Sequence, residues 1–173
     1  MGEVQRAAEY AERCHAAIGQ RRKYTGDPYI VHPAAVVEIV RSVPHTDAML
    51  CAAWLHDTVE DTYATLWGIE KMFGVEVATL VEMLTDVSVP ADGNRAARKA
   101  VDRVHTSKAS PAAKTIKLAD LIDNTSSIAE HDPAFAAVYF AEKRELLDVL
   151  RGGDATLWAR ANALLPRDLQ HGS

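Results

Sequence analysis

The chain has 173 residues, of which 48% are hydrophobic and 25% charged, a composition typical of one soluble globular domain. No apolar run approaches the roughly 20 residues of a membrane-spanning helix, and the first residues lack the basic and apolar regions of a signal peptide. The net charge of −5 argues against general nucleic-acid binding, which needs a basic surface. We therefore expect a cytoplasmic protein without a membrane or nucleic-acid partner.

Hydrophobic periodicity predicts helices almost throughout the chain, and strand-like alternation is weak. We predict an all-α protein, an orthogonal helical bundle of about nine helices. A proline that follows a capping residue marks two helix starts, at Ser110-Pro111 and at Asp132-Pro133. The tail after Pro166 is expected to fray. The predicted helices cover about residues 3–18, 33–42, 47–59, 66–73, 75–86, 95–105, 111–129, 133–151 and 155–165.

The third predicted helix runs from an apolar segment directly into a group of ionisable residues. Residues 48–55 are apolar on every side, and a helix without a polar face is buried. His56, Asp57, Glu60 and Asp61 follow, and their four-residue spacings place them on neighbouring stripes of a helix. Since buried charges are unfavourable unless they are paired or bind a metal, these residues either coordinate an ion or reach solvent as the helix surfaces.

Two other positions add candidate ligands to this group. His32 lies between an apolar run and a predicted helix start, where it either points inward or is an ordinary core or surface histidine. Asp120 is surrounded by apolar residues of the seventh helix and shares a polar stripe with Lys117, Asn124 and Ser127. The alternative for Asp120 is an ordinary aspartate on a helix surface.

Two imidazoles and two carboxylates, from His32, His56, Asp57 and Asp120, make a mixed nitrogen and oxygen ligand set. Such a set suits Mn²⁺, Fe²⁺ or Zn²⁺ better than Ca²⁺, which prefers oxygen alone. A metal ion of this kind lowers the pKa of bound water and polarises a phosphoryl group. Glu60 and Asp61, one helical turn further on, can orient or deprotonate the water or assist the leaving group.

The segments around these residues resemble a known family. His32, the pair His56-Asp57 and Asp120 match the H…HD…D signature of the HD superfamily. Residues 22–33 and 55–62 are similar to the R-K…G-x-P-Y-I-x-H-P and L-H-D-x-V-E-D-T blocks of Rel/SpoT-type alarmone hydrolases. The resemblance covers roughly residues 15–130. Because the chain has no room for the synthetase and regulatory domains of the long members, it resembles the stand-alone small alarmone hydrolases.

The resemblance implies one HD-type helical domain over residues 1–173, with a catalytic core at about 10–150. It implies removal of the 3′-diphosphate from guanosine tetra- or pentaphosphate, which gives GDP or GTP and pyrophosphate. The implied cofactor is Mn²⁺, although other divalent transition metals suit the same ligands. The implied metal ligands are His32, His56, Asp57 and Asp120, and the implied catalytic carboxylates are Glu60 and Asp61.

The resemblance also implies contacts with a small-molecule nucleotide substrate. Arg22 and Lys23 would lie against the base and the phosphates, and Asn124 would contact the ribose or the 3′ oxygen. Arg95 falls where small hydrolases carry a phosphate-facing lysine, and Tyr139 matches a pocket tyrosine. The alternatives for these last two are an ordinary surface cation and an ordinary core aromatic residue. The sequence indicates no oligomeric state.

The chain departs from the family pattern at several positions near the expected pocket. Asp123, Ser126 and Ser127 replace a histidine, a basic residue and a threonine, and Phe135 stands where some small hydrolases have an arginine. We therefore expect a less basic pocket, which leaves adenosine alarmones, or a 2′- or 3′-phosphate of another nucleotide such as NADPH, as alternative substrates. A non-enzymatic nucleotide sensor is a third hypothesis, against which the intact carboxylate pair argues.

Overall fold

The computed structural model describes residues 2–170, which form α-helices joined by short loops. The contacts divide the chain into two compact units, one that ends at Thr85 and one that begins at Asp86. Residues 2–170 contain no named β-strand, and an isolated bridge joins Arg21 to Pro28. The predicted all-α class is confirmed, whereas the single domain over residues 1–173 stays a prediction.

The first unit is organised around one buried helix. Its helices are α1 (Glu3–Ala17), α2 (Val31–Arg41), α3 (Asp47–Leu55), α4 (Thr58–Asp61) and α5 (Leu66–Leu84). Helix α3 packs against α1, α2 and α5. The Thr46 side chain caps its first turn by accepting a hydrogen bond from the Met49 N–H. Because α3 is apolar on all sides, it is buried as predicted, and Leu50 and Leu55 are at most 2% exposed.

Helix boundaries in this unit differ from the prediction at three places. Helix α2 begins two residues before Pro33, which places His32 in its first turn. Helix α3 ends at Leu55 instead of continuing to about Val59, and a two-residue turn separates it from α4. Gly74 interrupts α5 with a φ of 84°, which favours glycine, so the two predicted helices on either side of it are assigned as one interrupted helix.

The second unit contains one turn of 3₁₀-helix (Pro90–Asp92) and five α-helices. Helix α7 packs against α8 and α9, and α6 lies against α8. The predicted caps Ser110 and Asp132 are confirmed, because each accepts a hydrogen bond from the N–H three residues later. Asp154 caps α9 in the same way. The helices are α6 (Arg95–Ser107), α7 (Pro111–His131), α8 (Pro133–Val149), α9 (Ala155–Ala163) and α10 (Arg167–Gln170).

The prediction of a frayed tail after Pro166 is wrong for residues 167–170. Residues 167–170 form the short helix α10, and the Gln170 amide donates a hydrogen bond to the Leu165 carbonyl at 2.6 Å. Residues 171–173 lie outside the described part of the chain. Across residues 2–170, no helix combines the length and apolar character needed to cross a bilayer.

Candidate metal centre and its carboxylates

Three of the four predicted metal ligands lie together in the first unit. His32 comes from the first turn of α2, and His56 and Asp57 form the turn between α3 and α4. Nε2 of His56 lies 3.0 Å from Oδ2 of Asp57, and Nε2 of His32 lies 3.6 Å from the same oxygen. One possible ligand atom from each residue lies within 4.8 Å of the other two. We call these three residues the histidine–aspartate cluster.

A hydrogen bond on the far side of the His56 ring determines which nitrogen faces the cluster. Nδ1 lies 2.8 Å from the Ala53 carbonyl oxygen, so Nδ1 carries the proton and donates it. In the neutral ring, Nε2 therefore presents a lone pair towards Asp57. The two histidine side chains are 1% exposed and the Asp57 side chain is 20% exposed, so the cluster reaches solvent through its carboxylate.

The histidine–aspartate cluster fits a divalent transition-metal ion. Nitrogen and oxygen ligands bind such ions at about 2.0–2.2 Å, so two ligands of one ion are roughly 3–4 Å apart. The two nitrogen–oxygen distances in the cluster, 3.0 and 3.6 Å, have this size. Imidazole nitrogens combined with a carboxylate favour Mn²⁺, Fe²⁺ or Zn²⁺ over Ca²⁺.

Tyr29 supports the histidine–aspartate cluster, although it was not among the predicted site residues. Its hydroxyl donates a hydrogen bond to Oδ2 of Asp57 at 2.6 Å. Its ring lies against His32 and His15, with centroid distances of 5.7 and 4.7 Å. A hydrogen-bond donor of this kind fixes the orientation of a ligating carboxylate. Tyr29 lies within the family-like segment over residues 22–33, but no spacing rule indicates that it contacts Asp57, which is 28 positions later.

The predicted catalytic carboxylates, Glu60 and Asp61, lie on α4 directly after the cluster. The Asp61 N–H donates to the Asp57 carbonyl at 2.9 Å, which joins the short helix to the ligand turn. Partial burial raises the pKa of the Asp61 carboxyl, and a hydrogen bond from the Gln20 amide at 2.8 Å opposes that rise. Asp61 is thus suited to hold a proton closer to neutral pH than an ordinary aspartate.

The basic residues Arg22 and Lys23 lie in the loop between α1 and α2. The Arg22 backbone donates to the Asp27 carbonyl at 2.9 Å and accepts from the Gly26 N–H at 3.0 Å, which closes a tight turn. The Lys23 ammonium lies 3.2 Å from the Tyr24 hydroxyl. The turn fixes the backbone of this loop, and the contacts of Arg22 and Lys23 with substrate stay a prediction.

In the second unit, Asp120 lies in the middle of α7 and is 7% exposed. The Asn124 amide donates a hydrogen bond to Oδ1 at 2.6 Å, and the Lys117 ammonium lies 3.2 Å from Oδ2. The predicted polar stripe is confirmed for these three residues. A cation and an amide thus stabilise the ionised form of this buried carboxylate. The metal-binding role of Asp120 stays a prediction.

A buried lysine lies beside the predicted pocket tyrosine of the second unit. Lys143 donates to the Thr125 hydroxyl at 2.8 Å, and the Tyr139 hydroxyl lies 3.4 Å from the same oxygen. Burial lowers the pKa of Lys143 to about 7 and raises that of Tyr139. Lys143 was not among the predicted site residues, because a lysine in the middle of a helix gives no signal that its ammonium is buried.

The predicted phosphate-facing cation, Arg95, is bound to an acidic residue of α8. Its guanidinium donates two hydrogen bonds to Glu142, at 2.7 and 2.8 Å. The same guanidinium lies over the Phe135 ring, 5.1 Å from its centroid. Arg95 is therefore held in one orientation by its neighbours, and its contact with a phosphate stays a prediction.

Comparisons with known proteins show the family and the fold of this chain. Residues 7–149 match the model of the family described as the HD domain. A solved structure described as a metazoan ortholog of SpoT that hydrolyses ppGpp has a TM-score of 0.83 and 32% identity, and the match covers 95% of this chain and 94% of that one. The guanosine-3′,5′-bis(diphosphate) 3′-pyrophosphohydrolase MESH1 of Drosophila melanogaster is 36% identical over 146 residues, 80% of each chain.

Other similar proteins are much longer than this chain. A probable GTP pyrophosphokinase of Mycobacterium leprae is 38% identical over 148 residues, and the match covers 85% of this chain. The chain spans 18% of the length of that protein, and 20% or less of the four relatives that follow it in similarity.

Proposed function

Since this chain belongs to the HD-domain family, we propose that it is a divalent-metal-dependent hydrolase of guanosine tetra- and pentaphosphate. The reaction removes the 3′-diphosphate and gives GDP or GTP and pyrophosphate. The observation that carries the proposal is the histidine–aspartate cluster, whose donor atoms and spacing fit one metal ion. Further support comes from the similar Drosophila protein, named a 3′-pyrophosphohydrolase, and from the similar solved structure, described as hydrolysing ppGpp.

The proposed ligands are His32, His56, Asp57 and Asp120, and the proposed ion is Mn²⁺. The first three supply two imidazole nitrogens and a carboxylate, and the fourth supplies a second, buried carboxylate. When bound, such an ion supplies a Lewis acid for a phosphoryl oxygen and lowers the pKa of a bound water. The chain's own residues then orient the substrate and move protons.

Glu60 and Asp61 are the proposed proton-transfer groups. Hydrolysis adds the hydroxyl of a water to phosphorus, breaks the bond from phosphorus to the 3′ oxygen, and returns a proton to that oxygen. A carboxylate accepts the first proton and a carboxylic acid donates the second. Partial burial raises the pKa of the Asp61 carboxyl, which suits this residue to hold a proton in transit.

The substrate contacts are assigned by family resemblance and by chemistry. Arg22 presents a planar guanidinium that can stack on a purine, and Lys23 offers a point charge for phosphate. Asn124, Tyr139 and Arg95 are the proposed contacts from the second unit. The proposed partner is a small nucleotide in the cytoplasm, with neither nucleic acid nor membrane involved.

The test is to incubate the purified chain with Mn²⁺ and, separately, with ppGpp, ppApp and NADPH, and to identify the products by ion-exchange chromatography. Pyrophosphate and GDP from ppGpp are the expected products. Pyrophosphate from ppApp in preference to ppGpp would move the substrate to adenosine alarmones. Orthophosphate from NADPH with both alarmones intact would overturn the proposed substrate.

A ligand variant separates metal-dependent turnover from contaminating activity. Asp57→Ala is expected to abolish Mn²⁺ binding and product formation while the helical circular dichroism spectrum persists. Glu70→Ala, which removes an exposed carboxylate on α5, is the matched control and is expected to behave as the unmodified chain. Full activity of Asp57→Ala with bound metal would remove Asp57 from the ligand set.

A further inference from the structure

We propose that Gln20 is the positioning residue for Asp61, and that His15 holds Gln20 in place. The inference deepens the proposed function, because it rests on Asp61 as one of the catalytic carboxylates. Gln20 lies in the loop after α1 and Asp61 lies at the end of α4, so the contact joins residues 41 positions apart.

Both ends of the Gln20 amide are engaged. Nε2 donates a hydrogen bond to Oδ2 of Asp61 at 2.8 Å, and Oε1 lies 2.6 Å from Nδ1 of His15. His15 is 1% exposed, on the inner face of α1. A buried ring thus anchors the amide, and the amide reaches the carboxylate.

The residues at either end, Asp61 and His15, determine which atom donates in each of the two hydrogen bonds of Gln20. An ionised carboxylate only accepts, so the Gln20 nitrogen must face Asp61 and the Gln20 oxygen must face His15. His15 then donates through Nδ1–H. Its Nε2 is buried without a hydrogen-bond partner among residues 2–170. In both hydrogen bonds, from His15 to Gln20 and from Gln20 to Asp61, a donor therefore faces an acceptor.

Hydrogen bonds to its N–H and its carbonyl hold the backbone of Gln20 in place. Gly19 ends α1 with a φ of 64°, and the Gly19 and Gln20 N–H groups donate to the carbonyls of Ala16 and His15, both at 3.0 Å. This is the Schellman arrangement that closes a helix. The Gln20 carbonyl in turn accepts from the Tyr29 N–H at 3.2 Å. The backbone of Gln20 is therefore already ordered, and its contact with Asp61 has to order only the side-chain rotamers.

The hydrogen bond from Gln20 restricts the orientation of the Asp61 carboxylate. The amide holds Oδ2, so the carboxylate cannot rotate freely, and Oδ1 keeps one direction for proton transfer. A displacement of about 1 Å in a reacting group can lower a rate about 10²-fold. Gln20 does not belong to the histidine–aspartate cluster, so its loss is expected to lower kcat and to leave metal affinity unchanged.

The experiment replaces Gln20 by methionine, which keeps the side-chain length and removes both polar atoms. Gln20→Met is expected to lower kcat for ppGpp by about 10- to 100-fold, with KM and Mn²⁺ affinity within about twofold of the unmodified values. The matched control is Gln5→Met, because the Gln5 amide donates to the Glu9 carboxylate at 3.1 Å on the exposed surface of α1. The control is expected to keep full activity.

A measurement that does not depend on turnover tests the contact itself. In thermal unfolding, the combined effect of Gln20→Met and Asp61→Ala on Tm is expected to differ from the sum of the single effects by about 2 °C or more, since the two residues share one hydrogen bond. Strict additivity would overturn the contact, and an unchanged kcat in Gln20→Met would overturn the positioning role. If the unmodified chain hydrolyses none of the nucleotides while the Tm values are non-additive, the proposed function fails and the contact stands.

Discussion

The hydroxyl oxygen of Tyr29 lies 2.6 Å from Oδ2 of Asp57 and donates a hydrogen bond to it. The same carboxylate oxygen lies 3.0 Å from Nε2 of His56, so one atom joins the aromatic residue to the histidine–aspartate cluster. A carboxylate oxygen has lone pairs enough for a hydrogen bond and a metal contact together. Tyr29 therefore fixes the Asp57 carboxylate without removing it from the proposed ligand set.

Tyr29→Phe is expected to weaken Mn²⁺ binding by about 10-fold or more, because residues that orient metal ligands typically contribute 10- to 100-fold to affinity. A titration of metal against a competing chelator measures the change. Tyr63→Phe is the matched control, because the Tyr63 side chain is 90% exposed. An affinity equal to that of the unmodified chain would show that Asp57 keeps its orientation without the hydroxyl.

Asp120→Asn tests whether Asp120 is a metal ligand. An amide in place of the carboxylate removes one negative charge from the ligand set, so Mn²⁺ affinity is expected to fall at least about 10-fold. The same change at Asp123, three residues further along α7, is the control and is expected to leave affinity unchanged. If Asp120→Asn binds the metal normally, Asp120 does not belong to the proposed ligand set.

Glu60→Gln separates proton transfer from metal binding. The variant is expected to retain Mn²⁺ and to lose about 10²-fold or more in kcat, the usual scale for a positioned acid or base. Steady-state kinetics with ppGpp, combined with a metal titration, measures both quantities, and Glu70→Gln on α5 is the control. A kcat equal to that of the unmodified chain would assign the proton transfers to Asp61 alone.

Lys143 makes stability depend on pH. Its folded pKa is about 7, and a lysine in an unfolded chain has a pKa of about 10.4, so the unfolded state binds more protons between these values. The free energy of unfolding therefore rises with pH across this window, by up to about 1.4 kcal/mol per pH unit. Below pH 7 the lysine is protonated in both states, so burial of the charged ammonium lowers the free energy of unfolding by its full amount.

Lys143→Met removes this contribution, because methionine fills a similar volume without a charge. Urea unfolding at pH 7, 8 and 9 is expected to show a variant more stable than the unmodified chain at pH 7. That advantage should shrink by about 2 kcal/mol by pH 9. Lys108→Met, at an exposed position, is expected to show no such trend. A constant difference between variant and unmodified chain would contradict a buried, neutralised Lys143.

The helical class and most helix boundaries were predictable from the sequence because they depend on local chemistry. The apolar run over residues 48–55 predicts a buried helix, and Ser110 and Asp132 satisfy the first N–H groups of the helices that they precede. The candidate ligands His32, His56, Asp57 and Asp120 came from the resemblance to the HD superfamily, because local chemistry alone left solvated or ordinary residues as alternatives.

The sequence by itself determined which residues form helices and which residue types are available for a metal site. Only the tertiary structure decided that α3 ends at Leu55, that Tyr29 donates to Asp57, that Gln20 reaches Asp61 and that Lys143 is buried. Periodicity assigns a side chain to one face of its own helix, whereas these contacts join residues that are distant in sequence. Their partners are set by how helices and loops pack together, and no local pattern encodes that packing.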